Sequence, residues 1–114
     1  MEKSNFIILK KIKVFIVKME KVLLNFPKKD ILSRDFMYHD ILELLEIIYI
    51  ANYESDLAIK KSCQIKALAK INKIDFFIER AFSLGHITEK ECSSRITELN
   101  EINAMIYTWC KNGK

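Results

Sequence analysis

Glycine, proline and cysteine are scarce in this 114-residue sequence, which holds two, one and three of them. So few glycines and prolines exclude the many tight turns of a β-sandwich or barrel. The cysteines, Cys63, Cys92 and Cys110, have no short pairing interval. That excludes a disulfide framework and a spaced zinc site, and predicts a reducing, cytoplasmic setting. No apolar run approaches the ~18 residues of a membrane span, because Lys10, Lys11, Lys13, Lys18 and Lys21 interrupt the N-terminal apolar stretch. No membrane partner is therefore expected. There is no phosphate-binding glycine loop, nucleophile elbow or zincin motif. The Glu-x-x-His pairs of a carboxylate-bridged metal bundle are also missing. The chain is thus read as a non-enzyme without metal or cofactor. With half its residues apolar and no low-complexity linker, it is long enough for one core-forming domain over residues 1–114.

A large net charge is missing as well, but the modest +4 conceals a sorting. Residues 1–29 carry a net +6, residues 30–56 a net −6, residues 57–73 a net +5 and residues 74–114 a net −1. Two basic segments therefore flank an acidic one. Basic clusters of this kind suit a polyanion such as nucleic acid.

Apolar periodicity divides the chain into four helices. The first covers about residues 4–26, with Ile8, Leu9, Ile12, Phe15, Ile16, Met19, Val22, Leu23 and Phe26 on one face and lysines opposite; Pro27 ends it. Ile7, Val14, Val17 and Leu24 fall among the lysines, where a monomer has no use for them, and predict a subunit interface. The second runs from about Arg34 to Tyr53, with Ser33 as candidate N-cap and Ile41, Leu44, Leu45, Ile48 and Ala51 at core spacing. The third runs from about Asp56 to Leu84. Leu68, Ile71, Ile78 and Phe82 are its expected core, and Gly85 fits the left-handed position that closes it. The fourth starts with a capping box, Thr88 and Glu91, beside an Ile87–Cys92 hydrophobic staple. Ile96, Leu99, Ile102, Ile106 and Trp109 are its core stripe. The predicted fold is all-α, an antiparallel up-down-up-down four-helix bundle.

Two lysine sets are candidate nucleic-acid-binding residues. Lys10, Lys11, Lys13, Lys18 and Lys21 share the outer side of the first helix. Lys66, Lys70 and Lys73 recur at i, i+4, i+7 on the third, with no acid at i±4 to pair them. Lysines that neutralise phosphates release counterions and give salt-sensitive, sequence-independent affinity. The competing explanation is that the acids of the second helix pair with a basic helix. Arg34 and His39 have the spacing of a ribonuclease motif in which a histidine moves protons and an arginine steadies phosphate, as in the HEPN-type helical ribonucleases. A cap-region arginine and a half-exposed histidine are the plainer reading. His86 reads as a loop histidine. Asp75 falls in the core stripe of the third helix and needs a partner such as Arg80. Asn103 sits on the core side of the fourth helix, and Trp109 reads as a packing anchor.

Four stretches carry a family resemblance: Asn25-Phe26-Pro27-Lys28; Ile41-Leu42-Glu43-Leu44-Leu45-Glu46 with Ala51-Asn52-Tyr53; Arg80-Ala81-Phe82-Ser83-Leu84-Gly85-His86-Ile87-Thr88; and Glu101-Ile102-Asn103-Ala104-Met105-Ile106-Tyr107-Thr108-Trp109. In order and spacing the chain resembles the accessory variability determinant (Avd) proteins of diversity-generating retroelements. It is also similar to the related four-helix-bundle proteins encoded within bacterial large-subunit ribosomal RNA genes. The resemblance implies a small basic homo-oligomer, a ring-like pentamer, that is not an enzyme. It also implies a partnership with a reverse transcriptase and with nucleic acid, RNA or DNA. A protein–protein adaptor of the ribosomal-insertion type, without a retroelement role, is the alternative.

Overall fold

The computed structural model describes residues 3–113, with side chains from Ile7 onward. Four helices account for most of them: α1 (Lys3–Leu23), α2 (Ile31–Tyr53), α3 (Leu57–Ser83) and α4 (Glu89–Asn112), with a single 3-10 turn at Lys28–Asp30. No strand occurs among the described residues. The longest helix, at 1.5 Å per residue, spans about 40 Å, and the molecule measures 43 × 23 × 19 Å. Each helix packs on its neighbour in sequence, and α1 also packs on α4, which closes the four into a bundle.

The expected face of α1 is the buried one. Ile8, Leu9, Ile12, Phe15, Ile16, Met19, Val22 and Leu23 are all buried, and Phe26 packs partly buried against them. The helix stops at Leu23 rather than Phe26. Asn25 and Phe26 bond back to Val22 and Leu23 three residues earlier, a tightened last turn, because Pro27 forces the residue before it out of the helical region.

Helix α2 begins earlier than its sequence indicates. Pro27 is extended (φ −70°, ψ 153°) and the 3-10 turn feeds straight into Ile31. Ser33 is therefore inside the helix and not its N-cap; the cap position falls to Asp30, whose side chain makes no capping bond. Ile41, Leu44, Ile48 and Ala51 are buried and Leu45 is half-buried. The buried stripe also takes in Met37, Ile47 and the carboxylate of Asp40.

Asp56 caps α3 by accepting bonds from the amides of Ala58 and Ile59 at 2.9 and 3.1 Å. The core face of α3 is Gln64, Ala67, Ile71, Ile74, Ile78 and Ala81. It is rotated from the expected one: Leu68 is half-buried and Phe82 is exposed. Small Ala67 and Ala81 let the neighbouring helices approach, which an apolar count by size overlooks. The α3–α4 turn is a Schellman motif. The amide of His86 bonds to Ala81 and that of Gly85 to Phe82, both at 2.9 Å, with Gly85 at φ +78°. Thr88 then caps α4, its hydroxyl accepting the Glu91 amide at 3.1 Å. Cys92, Leu99, Ile102, Ile106 and Trp109 are buried, while Ile96, Asn103 and Ile87 are half-buried.

Candidate nucleic-acid interface

The two predicted lysine sets meet different fates. On α3, Lys70 is drawn into the α2/α3 boundary. Its ammonium lies 3.2 Å from Asp40 and 3.3 Å from Glu43, and its side chain is 14% exposed. Lys73 lies 3.3 Å from the other oxygen of Asp40 as an ion pair without hydrogen-bond alignment. Burial works against the Lys70 charge, but the neighbouring Asp40 and Glu43 outweigh it and hold the ammonium above its ordinary pKa. Of this row only Lys66 is exposed and without an ion pair among the described residues. The acidic second helix thus neutralises Lys70 and Lys73. The signal was present in sequence: Asp40 lies one position before Ile41 and three after Met37, inside the apolar stripe and opposite the basic α3.

On α1 the lysines divide. Lys11 pairs with Glu101 at 2.5 Å and Lys18 with Glu98 at 2.7 Å, both on α4. The Lys13 ammonium sits 5.6 Å from the centre of the Tyr49 ring, a cation–π contact that leaves its charge unneutralised. Lys10 and Lys21 are exposed and make no ion pair among the described residues. Interleaved with them, Ile7, Val14, Val17 and Leu24 are 37, 47, 55 and 80% exposed. The outer side of α1 therefore alternates free ammonium groups with apolar side chains. Arg95 of α4, absent from the sequence-based set, joins this side: its Nε lies 3.2 Å from Glu98 while the side chain is only 11% exposed.

The ribonuclease spacing is not assembled. Arg34 folds onto Asp35, at 3.0 Å, and His39 onto Glu43, at 3.2 Å, with His39 largely exposed. Five residues along a helix also turn the two side chains about 140° apart.

A different arginine and histidine do converge. Asp30 Oδ2 accepts from Arg80 Nη1 at 3.1 Å and lies 2.8 Å from His86 Nε2, while Arg80 also donates to the Ser33 hydroxyl at 3.0 Å. The Ser33 hydroxyl lowers the Asp30 pKa most; burial opposes it, and His86 and Arg80 add to the lowering. The His86 side chain is 8% exposed and its ring leans on Phe26 at 5.2 Å. So enclosed a histidine cannot serve an incoming polymer. The group ties the turn after α1 to the α3–α4 turn. Arg80 is consequently not the partner of Asp75. Asp75 sits instead beside Glu79, whose carboxyl is raised by that neighbouring charge first and by the hydrogen bond and burial after it.

Among the described residues no group of histidine, cysteine and carboxylate side chains is placed to hold a metal, and no helix is long and apolar enough to cross a membrane. No protein-family model matches the chain, and no curated protein matches it.

Proposed function

We propose that this chain is a non-enzymatic, oligomeric nucleic-acid-binding bundle of the Avd type, a cytoplasmic accessory to a reverse transcriptase in a diversity-generating retroelement. The observation that carries the proposal is the outer side of α1, where Lys10, Lys13 and Lys21 have no carboxylate partner among the described residues. Such a row offers phosphates a counterion-releasing surface. The exposed Val17 and Leu24 supply apolar area for assembly into a homo-oligomer, for which the resemblance gives a pentamer, while Ile7 and Val14 lie toward the α1/α4 boundary. An antiparallel up-down-up-down order is supported by the pairings between helices. Arg80 reaches Asp30 while Lys70 reaches Asp40, and Lys11 reaches Glu101 while Lys18 reaches Glu98.

A gel-shift titration at low salt tests the reading. Charge reversal of Lys10, Lys13 and Lys21 weakens RNA and DNA binding and flattens the salt dependence by about one unit of slope per lost contact. Absence of any shift with the wild-type chain refutes it. The neutralised Lys11, Lys18, Lys70 and Lys73 favour a second reading, an adaptor that meets a polymerase through protein contacts alone. Capture of the polymerase that survives nuclease treatment and the triple reversal would establish that reading instead.

A further inference from the structure

The boundary between α1 and α4 leaves a groove on the surface. One stretch of about 450 Å³ has Ile7, Val14, Phe15 and Ile102 along it, with Lys10 and Lys11 at the sides. The other, about 130 Å³, is polar, and Lys21, Asn25, Glu91 and Arg95 line it. Lys18 borders both, so the two are neighbours along the α1/α4 boundary. Lys10 and Lys21 lie about 16 Å apart along the helix.

Five cations and three carboxylates line or border this groove. Glu101 and Glu98 hold Lys11 and Lys18. Glu91 and Glu98 both approach Arg95 through Nε, at 4.0 and 3.2 Å. Nε is buried and makes no aligned hydrogen bond with either carboxylate, while the terminal guanidinium nitrogens make no ion pair or hydrogen bond among the described residues and stay open to water in the groove. They are available to an acceptor, and a phosphate fits the planar fork of an arginine. Lys21 stands free on the same polar stretch.

We infer that the α1/α4 groove is the track of one nucleic-acid strand, with Lys21, Asn25 and Arg95 holding a phosphate at its polar end and the apolar stretch receiving a base. The inference rests on the nucleic-acid reading above and narrows it to unpaired strands. Packed helices are 8–10 Å apart. A duplex is a rod wider than that spacing, so it touches the rim lysines and never reaches Arg95. Its bases are also paired inward. A single strand is slender and turns its bases outward, where apolar side chains cover them without reading their edges. The lining predicts little preference among sequences.

The test is fluorescence-anisotropy titration of the intact chain with a labelled oligonucleotide, alone and annealed to its complement, at one fixed salt concentration. The single strand binds at least about tenfold more tightly than the duplex, and Lys21→Glu removes about one unit of its salt slope. Lys61→Glu, the same charge change at an exposed site on α3, has far less effect. Arg95→Gln weakens the single strand and spares the duplex. Asn25→Ala, which removes the amide at an exposed position without adding charge, does the same and serves if Arg95→Gln disturbs folding. Equal affinity for both forms, or a Lys21→Glu effect no larger than that of Lys61→Glu, overturns the groove assignment and leaves nucleic-acid binding standing. No binding of either form by the wild-type chain overturns both.

Discussion

Asp40 offers the sharpest test of how the helices are held in register. Its side chain is 5% exposed, and the side chain of Lys70, whose ammonium faces it most closely, is 14% exposed. Replacing Asp40 with alanine leaves Lys70 charged, poorly hydrated and reliant on Glu43, 3.3 Å away. Breaking a buried pair by removing one partner costs about 3–5 kcal/mol. Glu43 is 29% exposed and retains part of the attraction, so the lower end of that range, about 3 kcal/mol, applies to Asp40→Ala. For a domain of this size that lowers Tm by more than about 10 °C. Urea denaturation followed by circular dichroism measures the loss directly. The companion variant separates burial from charge. Asp40→Leu with Lys70→Met removes both charges and fills the space, and returns stability to within about 1 kcal/mol of wild type. A cost for Asp40→Ala below about 1 kcal/mol, the value of an exposed pair, would refute the argument that this boundary is closed to solvent.

Acid tests the other charged tie. The Asp30 carboxyl has its pKa lowered below the ordinary 3.8, so its stabilisation is complete above that pH and is lost as pH falls through the folded value. Asp30→Asn therefore flattens the acid limb of a Tm-against-pH curve below about pH 4, where the unfolded carboxyl begins to protonate; an unchanged limb contradicts the assignment. Gly85→Ala meets no neighbour within 4 Å but must keep φ +78°. It costs about 1 kcal/mol by backbone strain alone, read as a shift in urea midpoint at constant m. His39→Ala leaves labelled RNA as intact as the wild-type chain does, since among the described residues His39 pairs with Glu43 and Arg34 with Asp35; RNA loss with wild type alone would revive the ribonuclease reading.

Most of the architecture was legible because period and punctuation agree. The buried side of α1 repeats cleanly at 3.6 residues, and Pro27, Gly85 and Thr88 each impose a backbone geometry that few residues supply. The errors arise where a side chain serves a distant partner. Ser33 resembles a cap, yet the early 3-10 turn places it inside α2, where Arg80 reaches it. Phe82 resembles core, yet Ala81 beside it is the residue at the helix contact. His86 lies in the α3–α4 turn as its sequence position indicates, but its burial against Asp30, 56 positions away, has no local signal. The candidate interface was legible only by half. Lysine positions are visible in sequence, but which ones are neutralised depends on the register between helices. That same register brings Arg95 beside Lys18 through the shared Glu98, a proximity no local pattern contains.

The contact of α1 with α4 has a consequence for how the molecule comes into being. Consecutive helices meet through short turns and form from local encounters, whereas Lys18 and Glu98 are 80 residues apart. Contacts of such separation carry the largest loop-closure cost and form late. A nascent chain still lacking α4 can assemble its other neighbours but has no groove. The groove therefore exists only once α4 has docked on α1, and whatever it grips is gripped only after that contact has closed the bundle.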